Sequence, residues 1–252
     1  VIARSFPGGV TKLMGGRSFR APTAYERFYH DGLAAPDSGQ MIYQSQKPNP
    51  DIRPEIILTG ELEHSQEIGD EFKVTGALFV NRISDLIVQR EDSDGLLAYG
   101  NALGVVRTEG AELELRWQPA RLSMVSASYW FQRMVIEGLG DEAEEQRLRA
   151  NAPAHAFSLR AMFPIAAPMI VGSAEAIYNA ARIARAGEGK TGEMLLLNAG
   201  LSGELPGKTF RYFAGVQNLL DERAKLPAGS DVPQSTVPSY GRTFVVQVTA
   251  TY

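Results

Sequence analysis

The segment Thr243-Phe244-Val245-Val246-Gln247-Val248-Thr249-Ala250-Thr251-Tyr252 decides how the chain is read. Phe244, Val246, Val248, Ala250 and Tyr252 take every second position, and Val245, Gln247, Thr249 and Thr251 fill the gaps. A period of two puts the two sets on opposite faces of an extended strand, one apolar and one more polar. From Arg242 to Tyr252 such a strand runs about 34 Å at the antiparallel rise. Tilted by about 40°, it spans roughly 26 Å, close to the ~25 Å apolar band of a membrane β-barrel.

The same alternation recurs upstream. Leu195, Leu197, Ala199 and Leu201 alternate with Leu196, Asn198, Gly200 and Ser202; Ala111, Leu113, Leu115 and Trp117 alternate with Glu112, Glu114, Arg116 and Gln118. Leu58, Gly60 and Leu62 alternate with Thr59, Glu61 and Glu63. Ten strands are predicted, at 10–17, 55–68, 72–90, 99–117, 122–137, 153–163, 169–185, 192–203, 209–222 and 240–252. Several are longer than soluble strands usually are, and no amphipathic helix is expected. Short connections (69–71, 118–121, 164–168, 204–208) alternate with longer ones (30–54, 91–96, 138–152, 186–191, 224–239). Tight turns on one side and long loops on the other describe an up-and-down meander, and also an outer-membrane barrel. A soluble β-sandwich is the alternative, but it favours shorter strands and shows no one-sided loop bias. On the membrane reading, Leu113, Leu115, Trp117, Leu197, Leu201, Val216, Phe244, Val246 and Val248 face lipid. Glu61, Glu63, Glu112, Glu114, Asn198, Gln217 and Gln247 then face a wet interior.

Composition narrows the function. The 252 residues hold 25 Lys+Arg against 29 Asp+Glu, a formal charge of -4, with 44% hydrophobic residues. Mild acidity argues against a nucleic-acid partner. The absence of cysteine excludes disulfides, thiolate metal sites and thiol catalysis. No apolar run of about 18 residues suggests a membrane helix. The chain opens Val1-Ile2-Ala3-Arg4, without an initiator methionine or a signal-peptide pattern. A start in mid-pattern suggests a piece of a longer chain.

GRSFRAP at 16–22 with Tyr25 and Glu26, NPDIRPE at 49–55, LFVNRISDLI at 78–87, EGAELEL at 109–115, NAPAH at 151–155, QNLLD at 217–221 and the GRTF that opens the last strand at 241–244 follow one another along the chain. In this order they resemble barrel motifs of the TonB-dependent outer-membrane receptors. The resemblance implies an all-β fold: an antiparallel up-and-down transmembrane β-barrel portion of about ten strands. That portion would be an open half-barrel cut from a roughly 22-stranded parent. It implies that 1–252 is the C-terminal portion, with the N-terminal plug and first strands absent. At about 25 residues per strand, about 22 strands need roughly 550 residues. The implied function is uptake of a scarce ligand such as a ferric siderophore, haem or cobalamin, driven by TonB. The implied partners are outer-membrane lipid, the chain's own plug domain, TonB through the missing N-terminal part, the β-barrel assembly machinery and a small-molecule ligand. The implied location is the Gram-negative outer membrane, with the C-terminus facing the periplasm.

Candidate site residues follow from position. Phe244, Val246, Val248, Ala250 and Tyr252 look like the terminal-strand signal read by the assembly machinery; alternatively, Tyr252 is an interfacial anchor. Arg17 and Arg20 flank Phe19 beside the first long loop, and His30 opens that loop. Ligand contact there competes with loop anchoring by charge-assisted hydrogen bonds. Glu61/Glu63 and Glu112/Glu114 share strand faces as i,i+2 pairs. They fit a wall that docks a plug or holds water better than a glycosidase pair. The loop ARAGEGKT at 184–191 loosely fits a phosphate loop, but a period-two strand follows it where a helix is required. The acidic run 141–145 reads as a solvated loop. His30, His64 and His155 lack a nucleophile elbow or a metal-ligand spacing, so neither catalysis nor a cofactor is expected. A small closed barrel acting as an enzyme or a passive channel, or a soluble carbohydrate-binding sandwich, are the competing readings.

Overall fold

The computed structural model describes residues 1–138, 153–184, 189–207, 210–228 and 234–250. Its strands are β1 (Ile2–Phe6), β2 (Gly9–Arg20), β3 (Leu33–Ala34), β4 (Met41–Ile42), β5 (Glu55–Ile68), β6 (Phe72–Ser84), β7 (Ile87–Glu91), β8 (Leu97–Asn101), β9 (Val105–Ala120), β10 (Ser123–Glu137), β11 (His155–Ala166), β12 (Ile170–Asn179), β13 (Met194–Glu204), β14 (Phe210–Gln217), β15 (Lys225–Pro227), β16 (Thr236–Pro238) and β17 (Thr243–Ala250), with one helix, α1 (Ala24–Phe28). Eleven of these strands form one sheet in the order β1-β2-β5-β6-β9-β10-β11-β12-β13-β14-β17, antiparallel throughout. β1 and β17 do not pair with each other, so the sheet is an open half-barrel.

The strand count is a correction from about ten to eleven. β1 is too short to announce itself: Ile2, Arg4 and Phe6 alternate for five residues before a turn at Pro7 and Gly8, where Gly8 has φ +70°. Two other expectations also change. The segments 72–90 and 99–117 each break, and their inner ends form the separate hairpin β7–β8. The break falls at Asp85, which adopts φ +57°; Asn101 Nδ2 donates to its carbonyl at 2.7 Å. Arg53 Nη2 also reaches Asp85 Oδ1 at 2.6 Å. A helix appears where none was expected. It is five residues long, too short to show a period, and is held by a capping box between Thr23 and Glu26.

Register separates the two faces. One row of opposed residues reads Leu13–Leu62–Leu78–Ala111–Phe131–His155, and another, on the same face, runs Leu201–Ala214–Val246. Leu13, Leu62, Leu78, Leu113, Leu115, Leu201, Phe244, Val246 and Val248 on this face are all exposed. An apolar band of this extent has no partner within the described residues, which is what a lipid-facing wall requires. The opposite face carries Lys12–Glu63–Ala77–Glu112 and Lys73–Arg116–Ser126–Arg160–Glu175–Asn198. The outward and inward sets expected from the alternation thus fall on opposite faces. Buried apolar residues are few, Val106, Ile136, Val171 and Ile52 among them. The fold is a wall rather than a packed core.

The short turns lie along one rim and the long connections along the other. On the apolar face at the short-turn rim, Phe72 stacks on Trp117 at 6.0 Å, and Trp117 Nε1 donates to Glu71 at 3.1 Å. The Tyr212 hydroxyl donates to the Met169 carbonyl at 2.7 Å. These rings have an apolar body and a hydrogen-bonded tip, the form favoured at a membrane interface.

Candidate functional site

The long-loop rim and the polar face carry the chain's polar architecture. Arg20, at the end of β2, donates to both oxygens of Glu55 at 2.8 and 2.9 Å and to both oxygens of Glu26 at 2.9 and 3.1 Å. Glu55 also accepts from the Ile87 amide at 2.8 Å. Hydrogen bonds to the two carboxylates hold the Arg20 guanidinium above its ordinary range. Burial would raise Glu55, but its bonds to Arg20 and Ile87 outweigh that and lower it. One guanidinium therefore ties β2, α1, β5 and the β7–β8 hairpin together. For Arg20 this is loop anchoring, with every guanidinium nitrogen already engaged.

Beyond that tie, the first two long connections are knitted into one cap. Asp31 accepts from the backbone amides of Gln44, Ser45 and Gln46 at 3.0, 2.8 and 3.1 Å, and from the Ser45 hydroxyl. Lys47 pairs with Asp92, and Asn49 Nδ2 donates to the Tyr99 carbonyl at 2.9 Å. Tyr25 stacks on Tyr29 at 4.4 Å and meets the edge of Tyr99 at 6.0 Å. His30 accepts from the Gly32 amide at 3.1 Å and packs edge-on to Tyr43 at 5.7 Å. Tyr25, Phe28, Tyr29 and His30 are exposed, so the cap presents an aromatic surface.

The other candidates separate. Glu61, Glu63, Glu112 and Glu114 share the polar face, with Glu63 bonded to Lys12 at 2.7 Å. Arg17 does not join them: it lies opposite Leu58, on the apolar face. Phe244, Val246, Val248 and Ala250 share one face of the edge strand β17. Tyr252, the acidic run 141–145 and residues 185–188 of the phosphate-loop match lie outside the described residues, as do Asn151 and Ala152 of the NAPAH element.

Two features went unread in the sequence. The first is a polar chain across the inner wall: Arg160 Nε to Glu175 at 2.6 Å, Asn198 Nδ2 to Glu175 at 2.8 Å, and the Asn218 amide to Asn198 at 2.8 Å. It borders a hollow of about 320 Å³ that also touches Met124, Met162, Phe213 and Gln217. The Phe213 ring lies across Gly200 and Gly215, where an added Cβ would come within 2.7 and 2.6 Å of it. The second is the role of Asn218, buried and at φ +55°. Its side chain bonds the backbone of Glu222 twice, at 2.9 and 2.8 Å, and the Tyr240 carbonyl at 3.1 Å, closing both ends of the last long connection. An asparagine directly after an alternating run was the available signal. Among the described residues, no group of three or more His, Asp or Glu is arranged to hold a metal.

With this geometry in place, the comparisons are specific. The family model described as "TonB dependent receptor-like, beta-barrel" matches residues 14–219, and the chain belongs to that family. Among solved structures, the ferric-catecholate import receptor Fiu from E. coli K12 aligns at TM-score 0.70 and 19% identity, over 97% of this chain and 33% of that one. The ferric enterobactin receptor PfeA from Pseudomonas aeruginosa, solved as a mutant with enterobactin, aligns at 0.70 and 16%, over 98% and 39%. The copper transporter OprC aligns at 0.70 and 19%, over 95% and 36%. The chain thus spans between about a third and two-fifths of these structures. No curated protein sequence matches it.

Proposed function

We propose that this chain is the C-terminal barrel portion of an outer-membrane receptor. In this reading the receptor takes up a scarce ligand such as a ferric siderophore, haem or cobalamin, and TonB drives the uptake. The observation that carries the reading is the open eleven-stranded wall with one apolar and one polar face. A wall with two free edges needs further strands to close, and its polar face needs contents. An N-terminal plug is the content the family supplies, and the polar-face position of Glu61, Glu112 and Glu114 supports contact with it. The exposure of Tyr25, Tyr29 and His30 at the long-loop rim supports ligand contact there. Fiu, PfeA and OprC carry ferric-catecholate, ferric enterobactin and copper by name, so a metal complex is the ligand class we favour. No residue here is assigned a catalytic role.

Growth on defined iron, haem and cobalamin sources, with and without the intact gene, tests this reading. We expect one source to fail without the gene and to fail again when TonB is disrupted. Uptake that persists without TonB would indicate a passive channel instead. We further propose that the assembly machinery reads the strand carrying Phe244, Val246, Val248, Ala250 and Tyr252, and that the C-terminus faces the periplasm. Deleting Tyr252 from the intact gene should then lower the folded, heat-modifiable barrel far more than Thr251→Ala does. Equal surface levels would leave Tyr252 as an interfacial anchor only.

A further inference from the structure

The polar chain across the inner wall ends at the base of a loop. Arg160, Glu175 and Asn198 are opposed in turn across β11, β12 and β13, near the middle of each strand. Asn218, which follows β14 directly, stands at the long-loop rim. Arg160 Nε donates to Glu175 Oε1 at 2.6 Å, Asn198 Nδ2 donates to Glu175 Oε2 at 2.8 Å, and the Asn218 amide donates to Asn198 Oδ1 at 2.8 Å. Each link sets the next. The guanidinium holds one oxygen of Glu175, which fixes the carboxylate and keeps its other oxygen on Asn198. A carboxylate only accepts, so the Asn198 side chain turns its NH2 group to Glu175 and its oxygen to the Asn218 amide.

Asn218 in turn is a clasp. It is buried, and its side chain holds the Glu222 backbone at one end of the last long connection and the Tyr240 carbonyl at the other. The connection does not lie flush on the wall. A hollow of about 500 Å³ separates them, lined by Met194, Leu196, Asn198, Gln217, Leu226 and Tyr240. Polar ties therefore carry much of the closure. Beside the clasp, the Leu219 amide reaches the Leu197 carbonyl at 2.6 Å, and the Arg242 amide reaches Asp221 at 2.8 Å. Asn198 borders this hollow and also the hollow of about 320 Å³ that Arg160 lines. One side chain thus touches both spaces.

We infer that Arg160 governs the Asn218 clasp through Glu175 and Asn198, so that a carboxylate drawing Arg160 off Glu175 loosens the last long connection. Asn198 is the positioning residue between them. The Arg160 side chain is 62% exposed and uses Nε on Glu175, which leaves its two Nη nitrogens to meet such a group. Freed of Arg160, the Glu175 carboxylate turns toward water, the Asn198 side chain loses its fixed orientation, and the Asn218 amide loses its acceptor. Asn218 is at φ +55°, and a non-glycine residue there keeps its place only while its surroundings hold it. Coupling of this kind is reciprocal, so opening the connection also frees Arg160. The inference goes beyond the transport reading and lies within this chain's own residues.

The test is hydrogen exchange on the intact receptor in nonionic detergent, read by mass spectrometry on peptides that carry the Asn218 and Glu222 amides. Arg160→Met removes the first donor and touches neither amide. It should speed their exchange by about tenfold, the order expected when a buried hydrogen bond is lost. Arg160→Lys keeps a donor for Glu175 and should restore most of the protection. Met162 lines the Arg160 hollow two residues along β11, so Met162→Glu places a carboxylate there; it should also speed exchange, and Met162→Gln should not. Arg116→Gln, on the same face but bonded to Gln118, should change nothing. Adding Arg160→Met to Asn198→Leu should bring no further increase, because both break one chain. Heat-modifiability reports whether each protein is folded; if Asn198→Leu is not, the Arg160 and Met162 variants decide. Unchanged exchange in folded Arg160→Met would overturn the inference, as would equal acceleration in Arg116→Gln or Met162→Gln. So would strict additivity in the double variant, or no effect of Met162→Glu. Ligand-dependent growth is read separately: it tests transport, whereas these exchange rates do not depend on what is carried.

Discussion

At the level of single residues, sequence position told more about alternation than about polar side chains that act through a fold. Arg20 and His30 were legible as loop-flanking residues, but Arg20 proves to be committed to Glu55 and Glu26. Asp31 carried no signal, because its partners lie thirteen to fifteen residues away. The Ser45 hydroxyl, then the Gln46, Gln44 and Ser45 amides, hold its carboxyl at about 2, against an ordinary 3.8. A carboxyl lowered in the folded state adds stability above its ordinary pKa and loses it as pH falls through the folded value. The first long loop should therefore stay closed above about pH 4 and open as pH falls toward about 2. Hydrogen exchange at the amides of Gln44, Ser45 and Gln46 reads this directly. Asp31→Asn should raise their exchange at neutral pH, where wild type is protected. Equal protection in both proteins would mean that the loop is held by its other contacts.

At the level of elements, strands announced themselves wherever both faces had a constant environment. Among the main-sheet strands β5, β10, β11 and β13 emerge close to their expected bounds, because lipid on one side and water on the other impose a period of two, whereas β9 starts later and β12 and β14 end earlier than the alternation suggested. The reading failed where strands leave the wall. The β7–β8 hairpin keeps an extended backbone but turns away at Asp85, and a period count cannot see that turn. The facing itself can be measured on β17. Val246 lies midway along it on the apolar face, opposite Ala214, while Gln247 lies opposite Phe213 on the polar face. In the intact barrel folded into lipid vesicles, Val246→Arg should cost about 2–4 kcal/mol by denaturant titration, and Gln247→Arg should cost little. Equal penalties would contradict the assignment of faces.

For the whole molecule, the architecture was legible and the ligand was not. A repeating pattern over the chain specifies a wall, whereas the contacts of a long loop such as 21–54 are aperiodic and long-range. The wall's incompleteness has a physical consequence of its own. The outer edges of β1 and β17 face no further strand among the described residues, and such edges are templates for further pairing. The outward side chains of β17 are among the most exposed, with Phe244 at 73%, Val246 at 78% and Val248 at 66%. In water, both the bare edges and the apolar face favour association, since burial returns about 25 cal/mol for each Å² removed from solvent. Buried apolar side chains are too few to oppose this with a core. The 252-residue chain alone, in detergent-free buffer, should therefore self-associate rather than stay monomeric. Light scattering after size-exclusion chromatography would report assemblies that shift toward smaller species on addition of a β-barrel-compatible detergent. A monodisperse monomer with a cooperative thermal transition in plain buffer would mean that the apolar face finds cover within the chain, and the lipid-facing assignment would fall with it.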